Sequence, residues 1–226
     1  MWTRLPPGDP APVLSVPMSS NQYFEESPRS PSEERPIDVV LPDLAFSMHT
    51  DRGVFSHGRL DKGTRILLRE APPPPPTGVL VDLGCGAGAI ALTLAMRAEQ
   101  ATVLAVDVNA RARSLCAANA AQLGLKNVTV VHPDQVPAMT SVDAIWSNPP
   151  IRVGKPALHA MLAVWLERLR PGAAALLVVQ RNLGAESLEH WLRTHGFVTT
   201  KVAARAGYRL IEVAAQIAEG GESCSL

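Results

Sequence analysis

Residues 79–98 constrain this chain more than any other stretch. Val79-Leu80-Val81-Asp82-Leu83 is a short apolar run suited to a strand buried on both faces. Gly84-Cys85-Gly86-Ala87-Gly88 follows directly, and residues 89–98 then read as a helix. Glycine reaches backbone angles closed to other residues and lets a ligand approach the main chain. A strand that turns through glycines into a helix commits the chain to an α/β architecture, with ligands beyond the C-terminal ends of the strands. The same alternation recurs downstream. Strands are predicted at 102–106, 128–131, 142–146, 174–179, 198–203 and 208–214, and helices at 110–123, 156–169 and 183–194. Pro156 falls in a first helical turn, where its missing N–H costs little, and Pro171-Gly172 closes that helix. Seven strands alternating with helices predict a doubly wound α/β sheet over residues 77–218.

The rest of the 226 residues is too short for a second full domain. Residues 1–36 carry eight prolines, several serines and the pairs Glu25-Glu26 and Glu33-Glu34. That composition buries too little apolar surface to offset its ordering entropy, so a mostly disordered N-terminus is expected. Met1 and Met18 are both candidate starts, and Tyr23-Phe24 is the one aromatic pair of this segment. Residues 37–50 place two apolar runs around Pro42-Asp43, which predicts a small β-hairpin. A glycine-rich, charged stretch follows at 50–64, with Phe55 in its middle, and a helix is predicted at 65–69. The prolines at 72–76 read as a stiff spacer, so 37–76 is expected as a hairpin/helix appendage with a linker. Residues 219–226 read as a flexible tail.

Charge and cysteine content exclude several classes. Lys plus Arg and Asp plus Glu both total 21, so no polybasic tail grips nucleic acid by charge alone. No apolar run reaches the length of a spanning helix. Cys85, Cys116 and Cys224 form neither a disulfide framework nor a zinc-ligand pattern, which suits a reduced intracellular chain. The first residues lack the apolar core of a signal peptide, so a cytoplasmic location is expected. His57, His159, His190 and His195 have no metal-ligand spacing, and no metal is expected. Trp146, Trp165 and Trp191 read as packing residues.

Two acids give the glycine turn a ligand. Asp107 ends the second strand, where a carboxylate takes the hydroxyls of a ribose, with Val108 beside it. A nicotinamide dinucleotide site also places an acid there, but its Gly-x-Gly-x-x-Gly pattern requires glycine where this chain has Ala89. Asp82, two residues before the turn, suits a ligand with a cationic end and no pyrophosphate. S-adenosylmethionine is such a ligand, expected against Asp82, Gly84, Cys85, Gly86, Gly88, Asp107 and Val108. Asp134, after the third strand, is positioned to accept from an adenine amine or to cap a turn.

The second signal is Ser147-Asn148-Pro149-Pro150 at the end of the fourth predicted strand. An exocyclic amine is a poor nucleophile because its lone pair is delocalised into the ring. Two acceptors aimed at its N–H bonds favour the pyramidal form that attacks. The Asn148 side-chain oxygen and a backbone carbonyl of Asn148-Pro149-Pro150 supply them, because proline fixes φ and removes competing donors. Catalysis then rests on positioning and local electrostatics.

With the Asp82 to Gly88 turn, this tetrapeptide resembles the class I S-adenosylmethionine-dependent methyltransferases that modify planar nitrogens. Gly53-Val54-Phe55-Ser56, Leu60-Asp61-Lys62-Gly63-Thr64 and Pro150-Ile151-Arg152-Val153-Gly154-Lys155 narrow it. Over residues 45–215 the chain is similar to the ribosomal RNA guanine-N2 methyltransferases of the small-subunit methyltransferase C type. The resemblance implies a Rossmann-like methyltransferase fold and methylation of a guanine N2 in small-subunit ribosomal RNA, with that RNA or subunit as partner. It implies catalysis at Asn148, Pro149 and Pro150, with Asn148 also against the cofactor.

The broad group carries an aromatic after the second proline, where this chain has Ile151. Phe55 is the candidate replacement as a stacking platform, with Ile151 and Arg152 also against the substrate. Asp61 and Thr64 either face the cofactor or cap a helix. Arg52, Arg59, Lys62, Arg65, Arg152 and Lys155 form either a phosphate-binding rim or a solvated face. Two other readings share these residues: methylation of another planar nitrogen (another RNA base, a protein glutamine, a small molecule), and a non-catalytic module.

Overall fold

The computed structural model describes residues 31–215. Expectations for residues 1–30, including Met18 and the Tyr23-Phe24 pair, and for the tail 219–226 with Cys224, lie outside the described residues.

The sheet has seven strands: β3 (Thr77–Leu83), β4 (Gln100–Val106), β5 (Val128–Val131), β6 (Val142–Ser147), β7 (Leu169–Gln180), β8 (Phe197–Arg205) and β9 (Tyr208–Ala215). Their order is β5-β4-β3-β6-β7-β9-β8. The strands from β5 to β7 are parallel, and β9 and β8 add antiparallel at one edge. The order reverses between β3 and β6, so their C-terminal ends open a crevice where Leu83 is followed by the glycines and Ser147 by Asn148. The expected doubly wound α/β sheet is the fold observed.

Adjacent strand residues face opposite layers, as the period of two requires. Leu80, Trp146, Val178 and Leu210 join one buried cluster, with α2 (Ala89–Arg97) and α3 (Ala110–Gln122). Val81, Ile145, Leu177 and Ile211 join the other, with α4 (Lys155–Leu166) and α5 (Ala185–Thr194). Continuous apolar runs in the central strands are the sequence counterpart of this two-sided burial.

The N-terminal region departs from a tethered appendage. The hairpin β1 (Arg35–Val40) and β2 (Ala45–Thr50) forms as expected around Pro42-Asp43. The helix α1 (Lys62–Glu70) starts earlier than its apolar run indicates, because Asp61 caps it by accepting the Thr64 N–H at 3.1 Å. The prolines at 72–76 do not hold this region apart. Val39, Phe46, Met48, Leu67 and Leu68 belong to the same buried cluster as Leu92, Cys116 and Trp146. Burying side chains of this size contributes roughly 1.5–3 kcal/mol each, which outweighs separation by a five-residue spacer. Polar ties add direction. Asn119 on α3 accepts from the His49 N–H at 2.8 Å and donates to the carbonyls of His49 and Ala87, both at 2.9 Å. Arg97 makes a bidentate pair with Asp43 and reaches the Leu68 carbonyl at 2.9 Å.

Two further boundaries move. The expected disordered segment ending at 36 overlaps β1, and residues before the strand are fastened to buried Asp51, which accepts from Ser32 Oγ at 2.9 Å and from the Glu33 N–H at 2.6 Å. Strand β7 begins at Leu169 and runs through Pro171-Gly172 instead of starting after it. Val142 pairs with Leu169 and Ala144 with Ala174, so residues 170–173 bulge opposite Asp143.

Candidate active site

One side of the crevice is made by the turn between β3 and α2. The N–H groups of Gly84 and Cys85 both donate to the Val106 carbonyl, at 2.8 and 3.0 Å. The Gly86 N–H donates to Asp107 Oδ2 at 2.9 Å, and the Asn109 N–H to Asp107 Oδ1 at the same distance. Burial raises the Asp107 pKa, against the pull of these backbone donors. Each carboxylate oxygen keeps a further lone pair. The carbonyls of Asp107 and Val108 receive Arg113 Nη1 at 2.9 and 2.8 Å. Gly88 caps α2 with φ +98°, and a Cβ there would stand 2.6 Å from Cys116 Sγ. Cys85 is buried, and the neighbouring Cys116 and burial push its thiol pKa up.

Asp82 is wholly buried and does not line the crevice. Its Oδ2 accepts from the Ala91 N–H at 2.9 Å, while Oδ1 is the one buried side-chain polar atom without a partner among the described residues. Burial pushes its pKa up to about 8, and Asp107 adds in the same direction. A cation near this turn would supply the charge that Asp82 lacks. The bare glycine turn, the orphan oxygen and Asp107 therefore fit a ligand with an ammonium and a ribose.

The second side is Asn148. Strand β6 is held at its end by Ser147 Oγ, which donates to the Leu83 carbonyl at 2.6 Å. Pro150 Cδ lies 4.0 Å from the position of a Cβ on Gly84, so the two sequence signatures face each other. Asn148 Nδ2 donates to Asp61 Oδ2 at 2.7 Å and to Thr64 Oγ1 at 3.0 Å. The Pro149 carbonyl is taken by the Ile151 N–H at 2.9 Å in a tight turn, and the Pro150 carbonyl by the Val153 N–H at 3.2 Å. Among the described residues the backbone carbonyl of Asn148 accepts no hydrogen bond. It is therefore the backbone acceptor this segment leaves open.

One cleft joins the two sides. Phe55, Asp61, Thr64, Gly84, Gly86 and Asn148 line it, together with Cys85 and Arg59. Phe55 is 65% exposed, as an accessible platform requires. Val54 covers Gly86. Gly88, Asp107, Val108, Pro149, Pro150 and Ile151 stand outside the lining, and Ile151 packs against the second buried cluster. The Arg152 side chain lies outside the described residues. Asp134 sits in a capped turn with its side chain 75% exposed and also stands away from the cleft. Of the expected cation rim, Arg52 pairs with Glu33 at 3.3 Å, whereas Arg59, Lys62, Arg65 and Lys155 make no ion pair among the described residues.

Two contributors were not singled out from the sequence. Asn119 connects the hairpin to the glycine turn through the Ala87 carbonyl; an amide in an Ala-rich helix was the available signal. Tyr208, at the start of β9, lays its ring against Gly63 beside Asp61, and nothing near it in sequence marks it.

Known proteins resemble this chain. Residues 45–212 match the methyltransferase small domain family. An uncharacterized protein, YbxB, of Bacillus subtilis is 33% identical over 85% of this chain and 98% of its own length. Ribosomal RNA small subunit methyltransferase C of Hahella chejuensis is 33% identical over 86% of this chain and 53% of that protein. Its counterpart in Pseudomonas entomophila is 36% identical over 70% of this chain and 46% of that protein. The chain thus spans about half the length of these methyltransferase C relatives. Among solved structures, the T. thermophilus 16S rRNA N2 G1207 methyltransferase, in complex with AdoMet and guanosine, superposes with a TM-score of 0.68. It is 25% identical and covers 82% of this chain and 52% of that one. The chain belongs to the methyltransferase small domain family, and its cofactor is S-adenosylmethionine.

Proposed function

We propose that this methyltransferase transfers a methyl group to the exocyclic N2 of a guanine in small-subunit ribosomal RNA. The observation that carries the reading is the free side-chain oxygen of Asn148, held across the cleft from the glycine turn with its amide nitrogen already engaged. The similarity to the methyltransferase C relatives and to the guanosine-bound structure supports guanine over other planar nitrogens.

When bound, S-adenosylmethionine supplies an electrophilic methyl group. Gly84 and Gly86 admit it by leaving the turn bare of side chains, and Asp107, bound to the Gly86 N–H just beyond the cleft lining, receives the ribose hydroxyls. Asp82 lies behind the turn, out of direct contact, and the ammonium favours the ionised form that burial opposes, which attracts the ammonium in return. Asn148 Oδ1 and the Asn148 carbonyl accept the two N–H bonds of the guanine amine and draw its lone pair out of the ring. Phe55 offers a ring face to the base, and Pro149 and Pro150 keep the acceptors in place. Arg59, Lys62, Arg65 and Lys155 meet the phosphates, which gives affinity without sequence readout. The small-subunit RNA, naked or assembled, is the macromolecular partner, in the cytoplasm.

The test offers labelled cofactor with separated ribosomal subunits, transfer RNA and protein, followed by mapping of the product. The expected label is on a guanine N2 of small-subunit RNA. Asn148→Ala is expected to lower the rate by about 10²–10³, the usual cost of one oriented catalytic hydrogen-bonding group. Label confined to transfer RNA, protein or a small molecule would replace this substrate with that one.

A further inference from the structure

We infer that the N-terminal cap of α1 is a positioning device for catalysis, in which Asp61 and Thr64 fix the carboxamide of Asn148 with its oxygen toward the substrate amine. The role rests on the methyl-transfer reading above.

A carboxylate only accepts hydrogen bonds, so the Asn148 atom 2.7 Å from Asp61 Oδ2 is the nitrogen. Its second hydrogen goes to Thr64 Oγ1 at 3.0 Å. With both N–H bonds used inside the protein, Oδ1 remains for a ligand. A half-turn of the amide would set oxygen against the carboxylate and nitrogen toward the substrate. That arrangement is repulsive on one side and offers a donor to a donor on the other. Capping alone does not require the contact. The cap needs only the Thr64 N–H, which Asp61 Oδ2 accepts at 3.1 Å, and serine or asparagine would cap equally well. Gly63 completes the device. A Cβ on it would stand 3.0 Å from Asp61 Oδ2, the oxygen that holds Asn148, and 3.0 Å from Tyr208 Cε1. Asp61-Lys62-Gly63-Thr64 thus reads as acceptor, spacer, room and second acceptor.

A polarity swap tests this. Asn148→Asp alone sets a second carboxylate against Asp61, and their mutual repulsion is expected to turn it out of place and lower kcat by about 100-fold. Adding Asp61→Asn lets a carboxamide at position 61 donate to the carboxylate at position 148, with an acceptor again facing the substrate. The pair is expected to recover at least tenfold in kcat over the Asn148→Asp single variant, with KM for the cofactor unchanged. No recovery in a double variant that melts normally would overturn the inference. A second measurement does not depend on the RNA substrate. The Asn148 side-chain amide signals in a ¹⁵N NMR spectrum are identified by their loss in Asn148→Asp. Thr64→Val keeps shape and backbone, and is expected to shift those signals and speed their hydrogen exchange. Unmoved signals would sink the clamp. Shifted signals with no methylation of ribosomal RNA by the wild-type chain would keep the clamp and discard the substrate.

Discussion

The glycine turn meets the cleft with backbone supplied by one short stretch of chain, whereas the Asn148 side meets it with side chains brought from 87 and 84 residues away. The first is set by local geometry: positive φ at Gly84, Gly86 and Gly88, and N–H groups turned onto Val106 and Asp107. The second exists only when α1 docks on the sheet. The difference teaches that the glycine half belongs to the sheet itself, while the Asn148 half is completed by the N-terminal region. The comparison predicts that perturbing the first half disturbs stability and cofactor binding together. Perturbing the second should leave the fold and lose the rate.

The largest effect is expected at Asp82. Its carboxyl has an ordinary value of 3.8 and is raised to about 8 by burial. Between those values the folded protein keeps a proton that the unfolded chain has lost. Stability without cofactor should therefore fall as pH rises from about 4 to about 8, and level off above. Asp82→Asn keeps an acceptor for the Ala91 N–H and removes the charge. It is expected to flatten the profile, to be more stable than the wild type at pH 8, and to bind cofactor more weakly. Urea unfolding at several pH values measures this. A wild-type profile that rises with pH would break the account of burial as the dominant influence.

These residues show what was legible. The strands and the turn stand out because apolar runs and glycines are local signals, and Asp82, Asp107 and Asn148 could be placed because each ends or adjoins a strand. Asp61 and Thr64 were open between two roles, since a cap is visible in sequence and a contact across 87 residues is not. The same holds for Asn119, whose three hydrogen bonds reach His49 and Ala87. The proline tract suggested a separation that the buried apolar face of α1, with Leu67 and Leu68 at 0% exposure, overrides. Asp134 matched a position in the chain, but its turn carries it into solvent.

An intermediate effect is expected from Gly88→Ala. The residue has φ +98°, and the new methyl would stand 2.6 Å from Cys116 Sγ. Backbone strain of about 1–2 kcal/mol and overpacking of about 1–3 kcal/mol are expected to add to roughly 3 kcal/mol. Cofactor affinity should fall with stability, because the same turn bears both. Cys116→Ala in the same chain removes the clash but leaves the backbone strain, so it should recover only part of the loss. Denaturation of the set, with calorimetry of cofactor binding, separates these shares. A stable Gly88→Ala chain with weakened binding would mean that the turn is less rigidly tied to the fold than its packing on α3 implies.

The smallest effect on stability, and the sharpest on the comparison, is expected at Gly63. Alanine in a helix gains about 0.5–1 kcal/mol over glycine. Here that gain is opposed by contacts at 3.0 Å with Asp61 Oδ2 and the Tyr208 ring, each of which must yield by a few tenths of an ångström. The two should leave the melting temperature of Gly63→Ala nearly unchanged. The displaced oxygen is the one that holds Asn148, and misplacement on this scale in a catalytic contact is costly. Single-turnover methyl transfer is expected to slow about tenfold, with cofactor affinity intact. Gly88→Ala should lose stability and affinity in parallel, and Gly63→Ala should lose rate alone. If Gly63→Ala instead weakened cofactor binding, α1 would be a wall of the cofactor site, and the division of the cleft into a backbone half and a side-chain half would not stand.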